Sequence, residues 1–204
     1  MEALLEHEGF TPLYDDLADA IARDGYAVRT TVLSETLTLA LLADALALET
    51  DAFTVAGVGR DRLLDHRIRL DRIHWLNHDR PAPTAYLAWA EGLRLALNQR
   101  LFLGLFDYES HYACYPVGAY YARHRDAFAG NNSRVLTTVL YLNTNWQDND
   151  GGQLVLYDDD AEIARVSPTL GTLAVFLSER FPHEVIATRR RRYSVAGWFR
   201  RRGD

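Results

Sequence analysis

The feature that most constrains this 204-residue chain is a run apolar on both faces, Arg134-Val-Leu-Thr-Thr-Val-Leu-Tyr-Leu-Asn143. Side chains of a strand alternate with a period of two. Val135, Thr137, Val139 and Tyr141 therefore share one face, and Leu136, Thr138, Leu140 and Leu142 the other. A strand apolar on both faces must be covered on both faces, here by a barrel interior and by a layer of helices. Leu170 to Ser178 and Tyr193 to Phe199 repeat the pattern, separated by the turn-rich stretches Asp148 to Gly152 and Tyr157 to Glu162. Several short strands joined by turns predict a sandwich or jelly roll.

The helices come first. Leu13 to Ala22 sets Leu13, Leu17, Ala20 and Ile21 on one stripe, and Ser34 is the expected N-cap of a second helix carrying Leu37, Leu41, Ala45 and Leu48. After Gly57 and Gly59 comes a short extended piece, Arg69 to Trp75. Thr84 to Leu101 then predicts a third helix burying Tyr86, Trp89, Leu93 and Leu97. With 48 % apolar and 11 % aromatic residues, the chain can fill one core. The expected class is α+β, a single domain over residues 1–204, with residues 1–105 as helical support and 106–200 as the β core.

Composition excludes several functions. A single cysteine, Cys114, rules out an internal disulfide framework and a Cys-based zinc finger, and favours a reducing compartment. The longest apolar run, Leu37 to Leu48, carries Asp44 and falls short of the about 20 residues a bilayer span needs. Glu2, Glu6 and Glu8 have the wrong charge for a signal peptide. The expectation is a cytoplasmic protein without a membrane partner. All 22 basic residues are arginine, and the net charge is −6. Eight arginines face one acid, Glu184, between Arg180 and Arg202. That balance disfavours a nucleic-acid binder and leaves room for a local basic patch.

The chemistry-bearing residues are His124, Asp126 and His183. On an extended strand, positions two apart share a face, so the His124 imidazole and the Asp126 carboxylate converge. His183 opens another extended segment. Two imidazoles and a carboxylate form the facial triad that holds non-haem iron(II) and leaves positions open. Gly151 and Gly152 follow Asp148 to Asp150. The acids argue against a phosphate cradle and for a β-turn ahead of a strand from Gln153 to Tyr157. Asp158 to Asp160 is expected as a solvated turn, and Cys114 fits packing.

In this company the chain resembles the prolyl-hydroxylase branch of the 2-oxoglutarate- and iron(II)-dependent oxygenases, from about Arg69 to Phe199. The matching residues run in order: Arg69-Leu-Asp-Arg-Ile-His-Trp75, Ala113-Cys-Tyr-Pro116, Tyr121-Ala-Arg-His-Arg-Asp126, Arg134-Val-Leu-Thr137, Tyr141-Leu-Asn143, Trp146 and Gly151-Gly152. Pro168, Phe176, Pro182-His-Glu-Val185, Arg192-Tyr193 and Trp198-Phe199 follow. The hypoxia-sensing type and its bacterial counterparts are the most similar.

The resemblance implies a double-stranded β-helix (jelly roll) with N-terminal helices packed on one sheet. It implies that His124, Asp126 and His183 bind Fe(II), and that 2-oxoglutarate is decarboxylated to succinate with O2, ascorbate being an accessory reductant. The distal carboxylate of 2-oxoglutarate needs a cation, and a planar guanidinium suits it. Arg189 to Arg192 compete for this role. Strand parity puts Arg192, Ser194, Ala196 and Trp198 on one face. A hairpin turning at Ala187 and Thr188 would set His183 beside Arg192. The family spacing also selects Arg192, with Arg190 as runner-up nearer the mouth. The family pattern further implies that Tyr141 donates its hydroxyl to the same carboxylate, that Tyr115 lies near the co-substrate, Tyr121 near the iron, and that Trp198 lines the substrate side. Ala196 departs from the polar Thr often found there.

The implied activity is hydroxylation of a prolyl residue in a protein, bacterial members of the branch suggesting a translation component such as elongation factor Tu. Tyr120, Trp146, Trp198 and the Arg180 to Arg202 patch are the expected groove, in a monomer or weak homo-oligomer. Competing readings are a free-amino-acid hydroxylase using Arg123 or Arg134, a cupin-like metal enzyme, and a non-catalytic jelly-roll binding module. The chain has no His-x-His, which disfavours the cupin reading.

Overall fold

The computed structural model describes residues 10–48, 52–55, 69–127 and 133–202. Three helices form the expected layer: α1 (Phe10–Asp24), α2 (Glu35–Ala47) and α3 (Pro81–Leu101). Ser34 caps α2, its hydroxyl accepting from the Leu37 N–H at 3.2 Å. α3 begins at Pro81, ahead of the expected Thr84, because the first helical turn has no N–H obligations and tolerates Pro81 and Pro83. The charge inside the apolar run of α2 has a structural use. Asp44 accepts from Tyr112 Oη at 2.8 Å and pairs with Arg80 at 3.1 Å, tying the helix layer to the sheet. Among the described residues no helix is long and apolar enough to cross a membrane.

The strands are β1 (Tyr26–Arg29), β2 (Thr54–Val55), β3 (Arg72–Trp75), β4 (Leu105–Tyr115), β5 (Tyr121–His124) and β6 (Arg134–Tyr141). They continue with β7 (Leu154–Asp158), β8 (Ala161–Val166), β9 (Leu173–Leu177), β10 (His183–Val185) and β11 (Arg192–Arg201). Among the described residues they form two antiparallel sheets, a major one in the order β1-β9-β6-β11-β4-β3-β2 and a minor one in the order β5-β10-β7-β8. The sheets face one another as a jelly roll, and the helices cover the outer face of the major sheet. The alternation in β6 and β11 sorts as its period dictates. Leu136, Leu140, Leu142, Val195 and Phe199 pack with the helices, whereas Val139 and Tyr141 join residues of the minor sheet inside the roll.

Three local expectations are corrected. The extended piece from Arg69 narrows to β3, with Arg69 making an isolated bridge to Tyr121. The β-turn at Gly151 and Gly152 is instead a 3₁₀ turn, Asp148–Asp150, followed by both glycines at positive φ. At Gly151 a Cβ would run into the Ala187 carbonyl oxygen, and at Gly152 it would lie 3.0 Å from Arg192 Cδ, so both positions need glycine. His183 and Arg192 do not share a hairpin. β10 pairs with β5 and β7 in the minor sheet, whereas β11 pairs with β4 and β6 in the major one. Residues 186–191 cross between sheets, held by Thr188, whose N–H donates to Ala119 and whose carbonyl accepts from Gly118.

Candidate active site

The two sheets enclose a cavity of about 580 Å³. On its minor-sheet side, β5 ends at His124 and β10 starts at His183, and the register sets these two residues directly opposite one another. Asp126 lies on a bend two residues past the end of β5, not on the strand as expected, yet its carboxylate still points to the same place. Its oxygens stand 3.6 Å from His124 Nε2 and 3.5 Å from His183 Nε2. One donor atom from each of the three residues falls within 4.8 Å of the others.

The protonation pattern is that of a metal site. Nδ1 of His124 donates to the Ala122 carbonyl at 2.8 Å, and Nδ1 of His183 to the Phe181 carbonyl at 3.2 Å. Each ring thereby turns Nε2 toward Asp126. Burial pushes His183 down to about 4, so its ring is neutral near pH 7. Burial opposes the charge on Asp126, and its carboxyl is nonetheless held well below the usual carboxylate range. A bare Nε2 and a carboxylate oxygen 3.5 Å apart leave lone pairs facing with nothing between them. A divalent cation satisfies all three donors at once, and neutral imidazole with carboxylate is the state it requires.

Of the outer partners of these ligands, Tyr121 is the one expected near the iron, whereas Thr137 and Ser178 leave no mark in the sequence. Thr137, on the inward face of β6, donates its hydroxyl to Asp126 at 2.8 Å and stands 2.8 Å from Ser178 Oγ, which donates in turn. Tyr121 lies parallel to His124 with ring centroids 3.6 Å apart. The Arg69 guanidinium covers the outer face of Tyr121 at 4.4 Å and is itself clamped by Asp71 through contacts of 2.7 and 2.6 Å. The stack locks the His124 ring from behind.

Arg192 is on the major-sheet wall, 1 % exposed, with no carboxylate partner among the described residues. One bond goes to Ser194 Oγ at 3.3 Å, and Nε has no partner. Tyr115 and Tyr141 flank the guanidinium at 4.7 and 5.0 Å from their ring centroids. Tyr141 Oη is likewise buried and unpartnered; burial pushes it up to about 12, so it stays a hydroxyl able to donate. A buried guanidinium and a phenol with nothing to bind form a pocket built for a carboxylate. The donor sets therefore fit both iron(II) and the distal carboxylate of 2-oxoglutarate.

Other expected features separate. Arg190 is exposed, paired with Asp150 at 3.0 Å and stacked on Trp146, away from the cavity. Trp146 donates to the Gly151 carbonyl and, like Tyr120, does not line the cavity. The arginines from 180 to 202 do not form one patch. Arg180 pairs with Asp158 and Arg200 with Asp107, and the two ends of β11 lie roughly 30 Å apart at about 3.3 Å per residue. Trp198 does line the cavity, with the Arg134 guanidinium 3.6 Å over its ring.

A jelly roll with a two-histidine, one-carboxylate cluster beside an anion pocket defines a class of mononuclear metal oxygenase folds. Residues 110–200 match the 2OG-Fe(II) oxygenase superfamily. The chain is 41 % identical to a solved Pseudomonas putida prolyl-4-hydroxylase, covering 93 % of this chain and 100 % of that one with a TM-score of 0.85. It is 26 % identical to a Trichoplax adhaerens prolyl hydroxylase solved in complex with a hypoxia inducible factor peptide fragment, over 93 % and 89 % of the two chains, with a TM-score of 0.83. Among curated proteins it is 38 % identical over 91 residues to human prolyl hydroxylase EGLN3, a match spanning 43 % of this chain and 38 % of the length of that relative. The chain belongs to the prolyl-hydroxylase family of the 2-oxoglutarate- and iron(II)-dependent oxygenases.

Proposed function

We propose that this protein is a single-domain, cytoplasmic dioxygenase that hydroxylates a prolyl residue within a protein, acting as a monomer or weak homo-oligomer. The observation that carries this reading is the convergence of three metal-ligating donor atoms across the cavity from a buried guanidinium that has no carboxylate partner among the described residues. His124, Asp126 and His183 would hold iron(II), leaving coordination positions to non-protein ligands. Bound there with 2-oxoglutarate, the iron supplies the oxidising chemistry that consumes O2 and yields succinate, CO2 and the hydroxylated product. Arg192 binds the distal carboxylate of 2-oxoglutarate and Tyr141 Oη donates to it. Tyr115 closes the wall over the guanidinium, Tyr121 keeps the His124 ring in place, and Trp198 faces the substrate. Ascorbate serves as an accessory reductant.

A free amino acid needs a second cation for its own carboxylate. The two arginines expected in that role are engaged elsewhere: Arg134 with Glu109 at 3.0 Å, and Arg123 with Asp160 at 3.2 Å and outside the cavity wall. This favours a polypeptide target, and a translation component such as elongation factor Tu is the first to examine. The test is to incubate the iron-loaded protein with host lysate, O2 and 2-oxoglutarate and map prolines that gain one oxygen by peptide mass spectrometry. Efficient hydroxylation of free proline with no modified protein would overturn the reading.

A further inference from the structure

One buried titratable side chain on the cavity wall has no part in holding metal or co-substrate. His111, on β4, is 2 % exposed and lines the cavity. The register sets it between Trp75 of β3 and Ala196 of β11, and Ala196 in turn faces Val139 of β6. Its ring meets Trp75 edge-on, with centroids 5.2 Å apart at 88°, and Trp198 at 5.4 Å and 56°. The small side chain of Ala196 leaves the floor beside it open. The result is a slot with three aromatic walls, one of which is stiffened from behind by Arg134.

The hydrogen bonding of His111 fixes its tautomer. Nδ1 lies 3.2 Å from the Tyr112 carbonyl oxygen. A carbonyl only accepts, so the proton is on Nδ1 and Nε2 is a bare acceptor. Burial pushes the ring down to about 4, which keeps it neutral. Among the described residues no hydrogen bond reaches Nε2. Nε2 is not one of the buried atoms left without a partner, so it opens onto the cavity, where a donor from outside the chain can take the place of water.

Its position limits what that donor can be. β4 and β6 flank β11 on opposite sides, and His111 is level with Val139, so two strand spacings and a two-residue offset, together roughly 12 Å, separate the His111 backbone from that of Thr137, which bonds Asp126. Among the described residues no hydrogen bond or ring contact joins His111 to His124, Asp126 or His183. An extended polypeptide advances about 3.3–3.6 Å per residue, so the slot meets a substrate chain about three residues from its target. We propose that the Trp75–His111–Trp198 slot binds the polypeptide main chain beside the target proline, His111 Nε2 accepting a hydrogen bond from a substrate backbone N–H. The inference rests on the protein-substrate reading above. It carries a specificity rule: proline, which lacks the N–H, is excluded at the substrate position that meets His111.

The experiment pans a display library of short peptides with a fixed central proline against the full chain, loaded anaerobically with iron(II) and 2-oxoglutarate. A library with alanine at the centre is the control. Wild type is expected to enrich proline-centred peptides, and one backbone N-methylation in the best peptide to weaken binding roughly 2- to 10-fold, the consequence of losing one hydrogen bond. His111→Phe is expected to show the same weakening with the unmodified peptide and no further loss with the N-methylated one. His111→Gln, which keeps an acceptor, retains most of the binding. Affinity for iron(II) and 2-oxoglutarate stays unchanged in both variants. The proposal is overturned if wild type enriches nothing over the control, if no N-methylation matters, or if both variants lose co-substrate affinity along with peptide. Peptides that bind through His111 yet stay unhydroxylated when O2 is admitted sink the hydroxylase reading and leave the slot standing. Peptides that are hydroxylated but bind His111→Phe normally do the reverse.

Discussion

β6 and β11 carry two cores back to back, and the two faces of these strands are built to different rules. Toward the helices, Leu136, Leu140, Val195 and Phe199 are fully buried, and the Thr138 hydroxyl among them is bonded to the Gly197 carbonyl and to Tyr108. Toward the cavity, the same strands hold Arg192, Tyr141 and Trp198, each with a buried polar atom that has no partner. Burying an apolar side chain stabilises the fold by about 1.5–3 kcal/mol, whereas an unpaired buried polar group costs about 1–3 kcal/mol. One face thus supports the other. The inner face keeps its unsatisfied groups because the outer face holds the strands.

The largest expected effect tests whether the inner face is a metal site at all. Asp126→Ala removes the only carboxylate of the cluster. Loss of an outer partner of a metal ligand typically lowers affinity about 10- to 100-fold, so loss of the ligand itself should exceed that. Iron titration and succinate production should both fail while the melting temperature of the unloaded protein holds. Near-normal succinate would end the assignment.

Arg192→Leu asks whether the buried cation belongs to the co-substrate or to the fold. Truncating one partner of a desolvated charge pair costs about 2–5 kcal/mol, so KM for 2-oxoglutarate should rise roughly 30- to several-thousand-fold. Without co-substrate the same change exchanges an unpaired buried charge for an apolar group, which is neutral or stabilising. A fall in the melting temperature of the unloaded variant would show that Arg192 supports the roll itself.

Leu140→Ala is the mirror experiment on the outer face. Leu140 lies between Val195 and Leu173 in the register and is fully buried. A Leu→Ala cavity costs about 2–5 kcal/mol, read as a lower urea midpoint, while KM for 2-oxoglutarate stays put at temperatures where the variant is folded. A large KM change in folded protein would mean the two faces are not separable.

What was legible in the sequence follows the same division. Period-two alternation assigns each side chain of β6 and β11 to a face, and that alone brings Arg192, Ser194 and Trp198 to one wall. It does not say which strand comes next. His183 and Arg192 were expected on one hairpin, but Thr188 is bonded to Gly118 and Ala119, some 70 residues earlier, and these long-range bonds carry the chain across to the other sheet. Thr137 and Ser178 meet 41 residues apart, and His111 meets Trp198 only through the sheet register, so neither pair leaves a local signature. Asp126 meets His124 for a reason the alternation alone does not supply. The strand stops at His124, and it is a bend that aims the carboxylate.

The smallest expected effect sharpens the contrast within a single stretch of chain. Arg190 has the strand parity of Arg192 and the same side chain, but it lies outside the roll, held by Asp150 at 3.0 Å and by the Asn145 carbonyl at 2.9 Å. It braces the turn that ends in Gly152, where even a methyl group would press on Arg192 Cδ. An exposed ion pair contributes about 0.2–1 kcal/mol, so Arg190→Ala should lower stability by less than about 1 kcal/mol. KM for 2-oxoglutarate should move at most a few-fold, because nothing of Arg190 reaches the anion pocket. Paired titrations of the two variants settle the register of residues 186–192. If Arg190→Ala harms co-substrate binding as much as Arg192→Leu does, the crossover delivers a different guanidinium to the carboxylate, and the inner wall must be rebuilt two residues out of step.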